Sequence, residues 1–226
     1  MSEPVCLDGV FDALARQQSR GAGRCVMFVG ARHGEGVTTV AHAAATSAGP
    51  GAVYAIDLEL RRNALARAFK EAGAKMGPRI DGRLNGASFY ALAGADGRVR
   101  HEPQPAFTFH RVERTRCFVG VFDQRLIPVG GRILIVRTPH YWNAVRAGGA
   151  TAIVDAPALD RSKLALQIGP HMDGVVLVVG ADAGAAPAAI SAKAELDAAG
   201  VNVLGLVYTK ASEPVMAMER IWRQAS

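Results

Sequence analysis

A glycine-rich segment in the first quarter of the chain carries residue types that could bind a phosphate group. Its sequence is Gly30-Ala31-Arg32-His33-Gly34-Glu35-Gly36-Val37-Thr38-Thr39. Glycines at this spacing let successive backbone N–H groups curl around a phosphate, and the N-terminus of a following helix adds partial positive charge. In a phosphate-binding loop, a lysine then contacts the phosphates and a Ser or Thr hydroxyl binds Mg²⁺. Thr38 supplies the hydroxyl, whereas Val37 stands at the lysine position.

This segment predicts a nucleotide-phosphate site that has lost its lysine. We expect the nucleotide-contacting residues to be Arg32, His33, Gly34, Glu35, Gly36, Val37, Thr38 and Thr39. A glycine-rich turn alone is a weak signal, because such turns also allow tight packing of the backbone. Other parts of the sequence must therefore support the prediction.

Three carboxylates follow apolar, strand-like runs elsewhere in the chain. Asp57 and Glu59 come after one such run, and Asp155 comes after a later one. Ligands of open α/β sheets bind at the carboxyl ends of the strands, so we expect these acids to converge beside the glycine-rich loop. With Thr38 they are candidate Mg²⁺ ligands, directly or through water. Any one of them alone would more simply be a helix cap or a turn carboxylate.

Short apolar runs alternate with alanine-rich helical stretches over much of the chain. The candidate strands are residues 25–29, 52–56, 151–154, 175–179 and 203–207, and the helical stretches include 38–47 and 61–72. A later helix is expected to begin near Ala186-Pro187 and to end at Gly200. Runs that are apolar throughout favour strands covered on both faces. The pattern predicts an α/β protein with a doubly wound, mainly parallel sheet and helices on both faces.

The middle of the chain interrupts this alternation. Residues 106–112 alternate as a half-buried strand does, and residues 116–122 and 132–136 would continue a small antiparallel meander. We therefore expect residues 77–139 to be a β-rich insertion or sheet-edge extension within one domain spanning residues 1–226.

Two phenylalanines of this insertion have two interpretations. We expect Phe107 and Phe109 to pack as local core. The alternative is a face that docks another protein. We also predict that the segment contributes to partner binding or self-association rather than to nucleotide binding. Tyr141-Trp142 is expected to open a helix that packs the segment on the sheet.

Composition sets further bounds on function. The 226 residues are 50% hydrophobic, which suits one substantial core, and no apolar run is long enough to span a bilayer. The opening residues lack the pattern of a secretion signal, so we expect a cytoplasmic protein. The spacing of Cys6, Cys25 and Cys117 suggests neither a disulfide framework nor a zinc site. The formal charge of +6 is spread over scattered arginines, which makes a nucleic-acid partner the less favoured interpretation.

Taken together, the motifs resemble those of the bacterial tyrosine kinases of capsule and exopolysaccharide assembly, a branch of the MinD/ParA-like P-loop ATPases. The loop at residues 30–39 is similar to that family's SARPGEGKST, residues 54–63 to LLIDADLRRP, and residues 152–158 to VIIDTPP. The similarity covers roughly residues 20–75 and 150–210, and the middle of the chain is atypical. The three motifs together are specific, and each alone is much less so.

The resemblance implies a ligand and roles for single residues. ATP or ADP with Mg²⁺ would be the ligand, with Thr38 as the metal-binding hydroxyl. Asp57 and Glu59 would be the second acidic pair, and Asp155 the acid at the end of a strand. Arg32 falls where the MinD/ParA group places a lysine that reaches the phosphates of a partner subunit.

The resemblance also implies partners. Members of the family dock on the cytoplasmic tail of a membrane polysaccharide chain-length or export protein. Such a partner would recruit this chain to the inner face of the inner membrane, and a homo-oligomer is a further expected association.

Two departures from the family pattern decide between the functional hypotheses. Val37 removes the lysine, and no tyrosine-rich tail follows the last motif, while Tyr54 and Tyr208 fall on expected buried strands. The leading hypothesis is a catalytically degenerate P-loop ATPase-like protein, a pseudokinase with weak or absent nucleotide binding. It would regulate or scaffold the polymerisation and export of a cell-envelope polysaccharide of the exopolysaccharide, capsule or holdfast type.

Two alternatives remain. One is an active ATPase or protein-tyrosine kinase of the same family in which Arg32 replaces the lysine. The other is a DNA- or membrane-positioning ATPase like ParA or MinD, which the Arg61-Arg62 pair makes less favoured.

Overall fold

The computed structural model describes residues 22–49, 51–182 and 184–209, together with Gly9. Its strands are β1 (Arg24–Gly30), β2 (Val53–Asp57), β3 (Met76–Asp81), β4 (Tyr90–Ala93), β5 (Phe107–Val112), β6 (Cys117–Phe122), β7 (Arg132–Ile135), β8 (Thr151–Asp155), β9 (Gly174–Gly180) and β10 (Val203–Thr209). The α-helices are α1 (Val37–Ser47), α2 (Ala64–Glu71), α3 (His140–Ala147), α4 (Leu164–Ile168) and α5 (Ala185–Ala198).

The main sheet has eight strands in the order β10-β9-β1-β8-β2-β6-β5-β3. The strands from β10 to β6 are mutually parallel, and β5 and then β3 continue the sheet in antiparallel pairings. Parallel neighbours need long crossover connections, and the helices supply most of these. The predicted α/β class with a mainly parallel sheet is confirmed.

Helices cover both faces of the sheet, and the side chains of β1 alternate between the two layers. Val26 and Phe28 face the layer that holds α1 and α2, whereas Cys25 and Met27 face the layer that holds α3, α4 and α5. All four side chains are fully buried. A strand buried on both faces is apolar throughout, which is why the sequence of β1 does not alternate.

Residues 77–139 do not form the single meander that the sequence suggested. β5 and β6 do pair as an antiparallel hairpin, and β6 joins the main sheet beside β2. β7 instead pairs with β4 in a separate two-stranded sheet, so that part of the prediction is wrong. The physical reason is that β6 already pairs with β2 on one side and with β5 on the other, so it has no free edge for β7.

The phenylalanines of the insertion are core residues. Phe107 and Phe109 are each 1% exposed, and Phe118 is half-buried against the same core. Their rings belong to an aromatic cluster that includes Phe89 and Tyr54, with a centroid distance of 4.8 Å between Phe89 and Phe107. The local-core interpretation is therefore confirmed, and the docking face at Phe107 and Phe109 is wrong.

Other details of the sequence prediction can be checked directly. Tyr141 and Trp142 open α3 and are buried, as expected. Tyr208, expected on a buried strand, is half exposed because β10 lies at an edge of the sheet. Cys25 and Cys117 are free and buried, and Cys6 lies outside the described residues. In the described part of the chain, no helix is both long and apolar enough to cross a membrane.

Candidate nucleotide-phosphate site

The glycine-rich loop connects β1 to α1 in the geometry that its glycines permit. Gly34 and Gly36 have φ angles of 84° and 85°, in the left-handed region where a side chain would add strain. Gly36 directly precedes α1, and none of the described side chains caps the helix there. The first N–H groups of α1 therefore have no side-chain cap and carry partial positive charge. These are the properties that an anion-binding site requires.

A cavity of about 290 Å³ lies beside this loop, at the carboxyl ends of the central parallel strands. Of the residues predicted for the site, those that line it are Arg32, His33, Gly34, Gly36, Val37, Thr38, Asp57, Glu59 and Asp155. The structure thus brings the loop and all three acids together. Their part in nucleotide or metal binding stays a prediction.

Two predicted residues lie outside this lining. Thr39 is exposed on α1. Glu35 is 4% exposed, does not line the cavity and bonds to Arg32. A side chain can leave the cavity while its backbone remains in the loop, so the spacing of the motif alone could not predict its direction.

Arg32 bonds to the side chains of Glu35 and Asp182. One Glu35 oxygen accepts the Arg32 backbone N–H at 2.8 Å, and the other accepts the Arg32 Nε–H at 3.0 Å. Arg32 Nη2 also contacts both carboxylate oxygens of Asp182, at 3.0 and 2.9 Å. The guanidinium is therefore bound by two carboxylates, and its Nη2 lies within 3.0 Å of an oxygen of each.

Two of the acids form a buried pair between neighbouring strands. Asp57 on β2 lies directly across from Asp155 on β8, and the two are 3% and 5% exposed. Burial, with the nearby Asp57 charge, raises the pKa of Asp155 to about 8, although a hydrogen bond from Thr38 opposes the shift. Burial also raises the pKa of Asp57. Without a cation the pair favours a protonated form, as expected of like charges in one cleft.

Asp57 has a structural role as well. Its Oδ1 accepts the Glu59 N–H at 2.7 Å, and its Oδ2 accepts the Leu65 N–H at 3.3 Å at the start of α2. Glu59 is more exposed, with its carboxylate 3.1 Å from Arg62 Nε. The acids that the sequence grouped together thus differ in burial and in bonding.

Val37 occupies the lysine position with an apolar side chain. It is partly buried and packs against the core layer of α1 and α2. Its Cγ2 lies 3.0 Å from the place that a Cβ on Gly30 would take. The side chain therefore fills space between the loop and the end of β1 and offers no hydrogen bond to a ligand.

Three arginines that the sequence analysis did not assign to the site also line the cavity: Arg62, Arg67 and Arg161. All three are exposed. Within the described residues, neither Arg67 nor Arg161 forms an ion pair, whereas Arg62 pairs with Glu59. Arg67 could have been found from its place on the helix after the second acidic motif, but Arg161 depends on the path of the loop after β8.

The side chains do not form a complete metal cage. Across the described residues, no group of three or more His, Cys, Asp or Glu side chains is arranged to hold a metal ion. Mg²⁺ in nucleotide sites usually has only one or two carboxylate contacts, with water and substrate phosphates supplying the rest. Thr38 and its partner Asp155 fit that smaller set.

Comparison with known proteins identifies the fold. No protein-family model matches the chain, and no curated protein matches it. The chimerical protein CapA2B2 matches 90% of this chain and 83% of its own, with a TM-score of 0.52 and 14% identity. The VpsO kinase domain matches 91% and 93%, with a TM-score of 0.51 and 16% identity.

A third structure, the kinase domain of the Escherichia coli tyrosine kinase ETK, matches 86% of this chain with a TM-score of 0.44 and 18% identity. At these identities the likeness concerns the fold. The predicted resemblance is confirmed at the level of the fold by CapA2B2 and the VpsO kinase domain. The chain therefore has the α/β fold that the VpsO kinase domain and CapA2B2 share.

Proposed function

We propose that this chain is a catalytically degenerate P-loop ATPase-like protein that regulates or scaffolds the polymerisation and export of a cell-envelope polysaccharide. The observation that carries the proposal is the combination at one cavity of a phosphate-shaped loop, the Thr38–Asp155 contact and an apolar Val37. A site that keeps the loop backbone and the acids but lacks the positively charged lysine is better suited to binding a nucleotide than to hydrolysing it. Each stabiliser of transition-state charge in phosphoryl transfer contributes about two to five decades in rate.

The residues present fit a nucleotide with Mg²⁺, bound weakly. The N–H groups of the loop and of the first turn of α1 would face the phosphates. Thr38 would bind the metal, with Asp155 and Asp57 holding its water ligands and Glu59 at the more exposed side. Bound Mg²⁺ would supply positive charge between the phosphates and the buried acids. It would thereby favour the ionised form of the Asp57–Asp155 pair.

The competing hypothesis is an active ATPase or kinase in which Arg32 replaces the lysine. The network around Arg32 argues against it, because two carboxylates hold the guanidinium and Glu35 is buried beneath it. Leaving Glu35 would also strand a buried carboxylate, which is costly. Retained binding without turnover needs no such rearrangement.

We further propose that the protein acts in the cytoplasm and is recruited to the inner face of the inner membrane. Its partner would be the cytoplasmic tail of a membrane polysaccharide chain-length or export protein, and a homo-oligomer is a second association to test. The resemblance of the three motifs supports this placement, as does the fold shared with the VpsO kinase domain. Nucleic acid is not among the proposed partners.

The test is a calorimetric titration of the wild-type chain and of Val37→Lys with ATP and Mg²⁺. A hydrogen bond to a charged group contributes about 1.5–3 kcal/mol, so Val37→Lys should bind ATP at least about tenfold more tightly. Val37→Met is the matched control, since it adds length without charge and should leave the affinity unchanged.

Two outcomes would contradict the proposal. Equal affinities for wild type and Val37→Lys would mean that the loop does not hold phosphate. ATP hydrolysis by the wild type that Asp155→Ala abolishes would mean that the chain is an active enzyme.

A further inference from the structure

A second cavity, of about 590 Å³, lies at the opposite edge of the sheet from the glycine-rich loop. It sits where β2 and β6 begin and where α1 and α2 end. Its volume falls within the range of roughly 300–1,000 Å³ that is usual for ligand sites. We call it the arginine groove and define it by the apolar floor of Val53, Phe69 and Cys117 and by the rim of Arg111, Arg114 and Arg116.

The floor of the arginine groove is apolar and belongs to the folded core. Val53, Phe69 and Cys117 are 3%, 2% and 7% exposed. The ring of His42 packs edge-on to Phe69 with a centroid distance of 4.5 Å, and burial lowers the pKa of His42. The imidazole is therefore neutral near pH 7 and adds to the floor rather than to the charge of the rim.

The rim of the groove is positively charged. Arg111, Arg114 and Arg116 are all exposed and line the groove, whereas none of its described lining residues is an Asp or a Glu. Glu113 lies in the same turn but is not among the lining residues. This separates the arginine groove from the cavity at the glycine-rich loop, where arginines and acids are mixed.

The turn that carries the arginines is held by hydrogen bonds. The turn between β5 and β6 is closed by a bond from Thr115 N–H to Val112 O at 3.1 Å. Arg111 Nε–H donates to Thr115 O at 2.8 Å across the same turn, and Val53 N–H donates to Arg116 O at 2.9 Å. The three arginines therefore lie on a hairpin whose turn is closed by hydrogen bonds and which is bonded to the start of β2.

Arg114 has an unfavourable backbone conformation. Its φ of 60° lies in the left-handed region, where the other non-glycine residues among those described are Asn63 and Asn85. Asparagine tolerates this region, whereas arginine gains nothing there. Strain of this kind tends to persist at functional positions. The turn thus keeps an arginine at the rim where a glycine or an asparagine would fold more easily.

We propose that the arginine groove binds a peptide segment of a partner protein in which carboxylates flank a large apolar side chain. The apolar side chain would enter the floor, and the carboxylates would pair with the rim in charge-assisted contacts. The C-terminal turns of α1 and α2 border the groove and carry partial negative charge, which suits the N–H donors of a peptide better than a bare phosphate.

A membrane surface fits the groove less well. The exposed large hydrophobic residues of the described chain are Ile80, Val99, Val129, Ile190, Leu206 and Tyr208, and none of them lines the groove. The apolar part is concave and buried, so a partner must insert a side chain into it. The groove is also separate from the nucleotide proposal, because Val37 lies at the other end of α1.

The test uses the full chain and a fluorescein-labelled, end-blocked peptide, Glu-Asp-Leu-Phe-Asp-Glu, followed by fluorescence anisotropy. The wild type should bind it saturably. Arg114→Gly should weaken binding at least about fivefold while the melting temperature stays equal or rises, because glycine relieves the left-handed strain. Arg98→Gln, which removes an exposed arginine outside the groove, should change neither quantity.

Changes in the peptide distinguish the two halves of the site. Replacing Leu-Phe by Ser-Ser, or all four acids by their amides, should each weaken binding at least about fivefold. Three outcomes would overturn the proposal: no saturable binding of the first peptide, binding unaffected by Arg114→Gly, or equal binding of the Ser-Ser peptide. Arg114-dependent binding of phosphatidylserine vesicles or of a DNA duplex, in place of the peptide, would also overturn it.

Discussion

Asp57 on β2 and Asp155 on β8 lie side by side in the register of the sheet, both buried and both with a raised pKa. Two carboxylates in this position repel each other unless a proton or a cation lies between them. The stability of the ligand-free protein should therefore depend on pH, and this dependence can be used to detect the pair.

The first prediction concerns this pH dependence. An unfolded aspartate titrates near pH 3.9, whereas the folded Asp155 has a pKa of about 8, so the folded state binds more protons between these values. Stability should therefore fall as pH rises through this window, by up to about 1.4 kcal/mol per pH unit for one full proton. Asp155→Asn should flatten the profile and be more stable than wild type near the upper end.

Urea unfolding of both proteins without nucleotide or Mg²⁺, at several pH values between about 4 and 8, measures the effect. Asp197→Asn, which changes an exposed acid on α5, is the control and should follow the wild-type profile. If the stability of Asp155→Asn fell with rising pH as steeply as that of the wild type, Asp155 would be ruled out as the titrating group.

The second prediction separates charge from hydrogen bonding at Asp57. Asp57→Asn removes the repulsion with Asp155 but keeps one acceptor, so its stability should stay close to wild type. Asp57→Ala leaves the Glu59 and Leu65 N–H groups without their acceptor and should cost about 1–2 kcal/mol. Chemical denaturation near pH 7 compares the two. An equal loss in both variants would mean that the charge itself stabilises the fold.

The third prediction concerns a buried ion pair on the other side of the sheet. Arg146 Nε lies 2.9 Å from Asp173 Oδ2, with side chains 3% and 5% exposed, and Asp173 also accepts the Cys25 N–H at 2.7 Å. Removing one partner leaves the other charge buried, so Arg146→Met should lose about 3–5 kcal/mol.

Lys193→Met is the comparison for this pair, because Lys193 and Asp197 form an exposed pair on α5. It should cost less than about 1 kcal/mol. A loss in Arg146→Met as small as that of the control would show that the buried pair contributes little beyond its packing.

The fourth prediction concerns the thiols. Burial raises the pKa of both Cys25 and Cys117 to about 12, so neither forms a thiolate near neutral pH. In the native chain both should resist maleimide for as long as the fold persists and react quickly in denaturant. Mass spectrometry of digested, labelled protein follows each site. Fast labelling of Cys117 in native protein would indicate that the arginine groove opens to its floor.

The local structure around the glycine-rich loop could be predicted well from the sequence. β1, the glycine-rich loop and α1 are contiguous, so the apolar run, the glycines and the helix that follows could be predicted without tertiary information. The convergence of Asp57 and Asp155 followed from the rule that parallel strands end at the same edge.

Other features depended on contacts between distant segments. α2 begins at Ala64, three residues later than the expected Arg61, because Asn63 takes a φ of 48° and bonds through its amide to the backbone of Phe122. The place of Arg161 beside the glycine-rich loop also depends on segments that are far apart in the sequence. The hydrophobic periodicity of the sequence does not indicate contacts of this kind.

β3 ends the main sheet, and its composition bears on how the molecule can aggregate. Pro78 has no N–H to offer a new strand, a register shift follows Met76, and Arg79 and Asp81 are exposed along the strand. An incoming strand would meet a missing donor and two charges. Endless edge-to-edge stacking into a fibril needs two receptive edges in every copy. The β3 edge of the main sheet is therefore a poor template for such stacking, which leaves β10 as the other edge of that sheet.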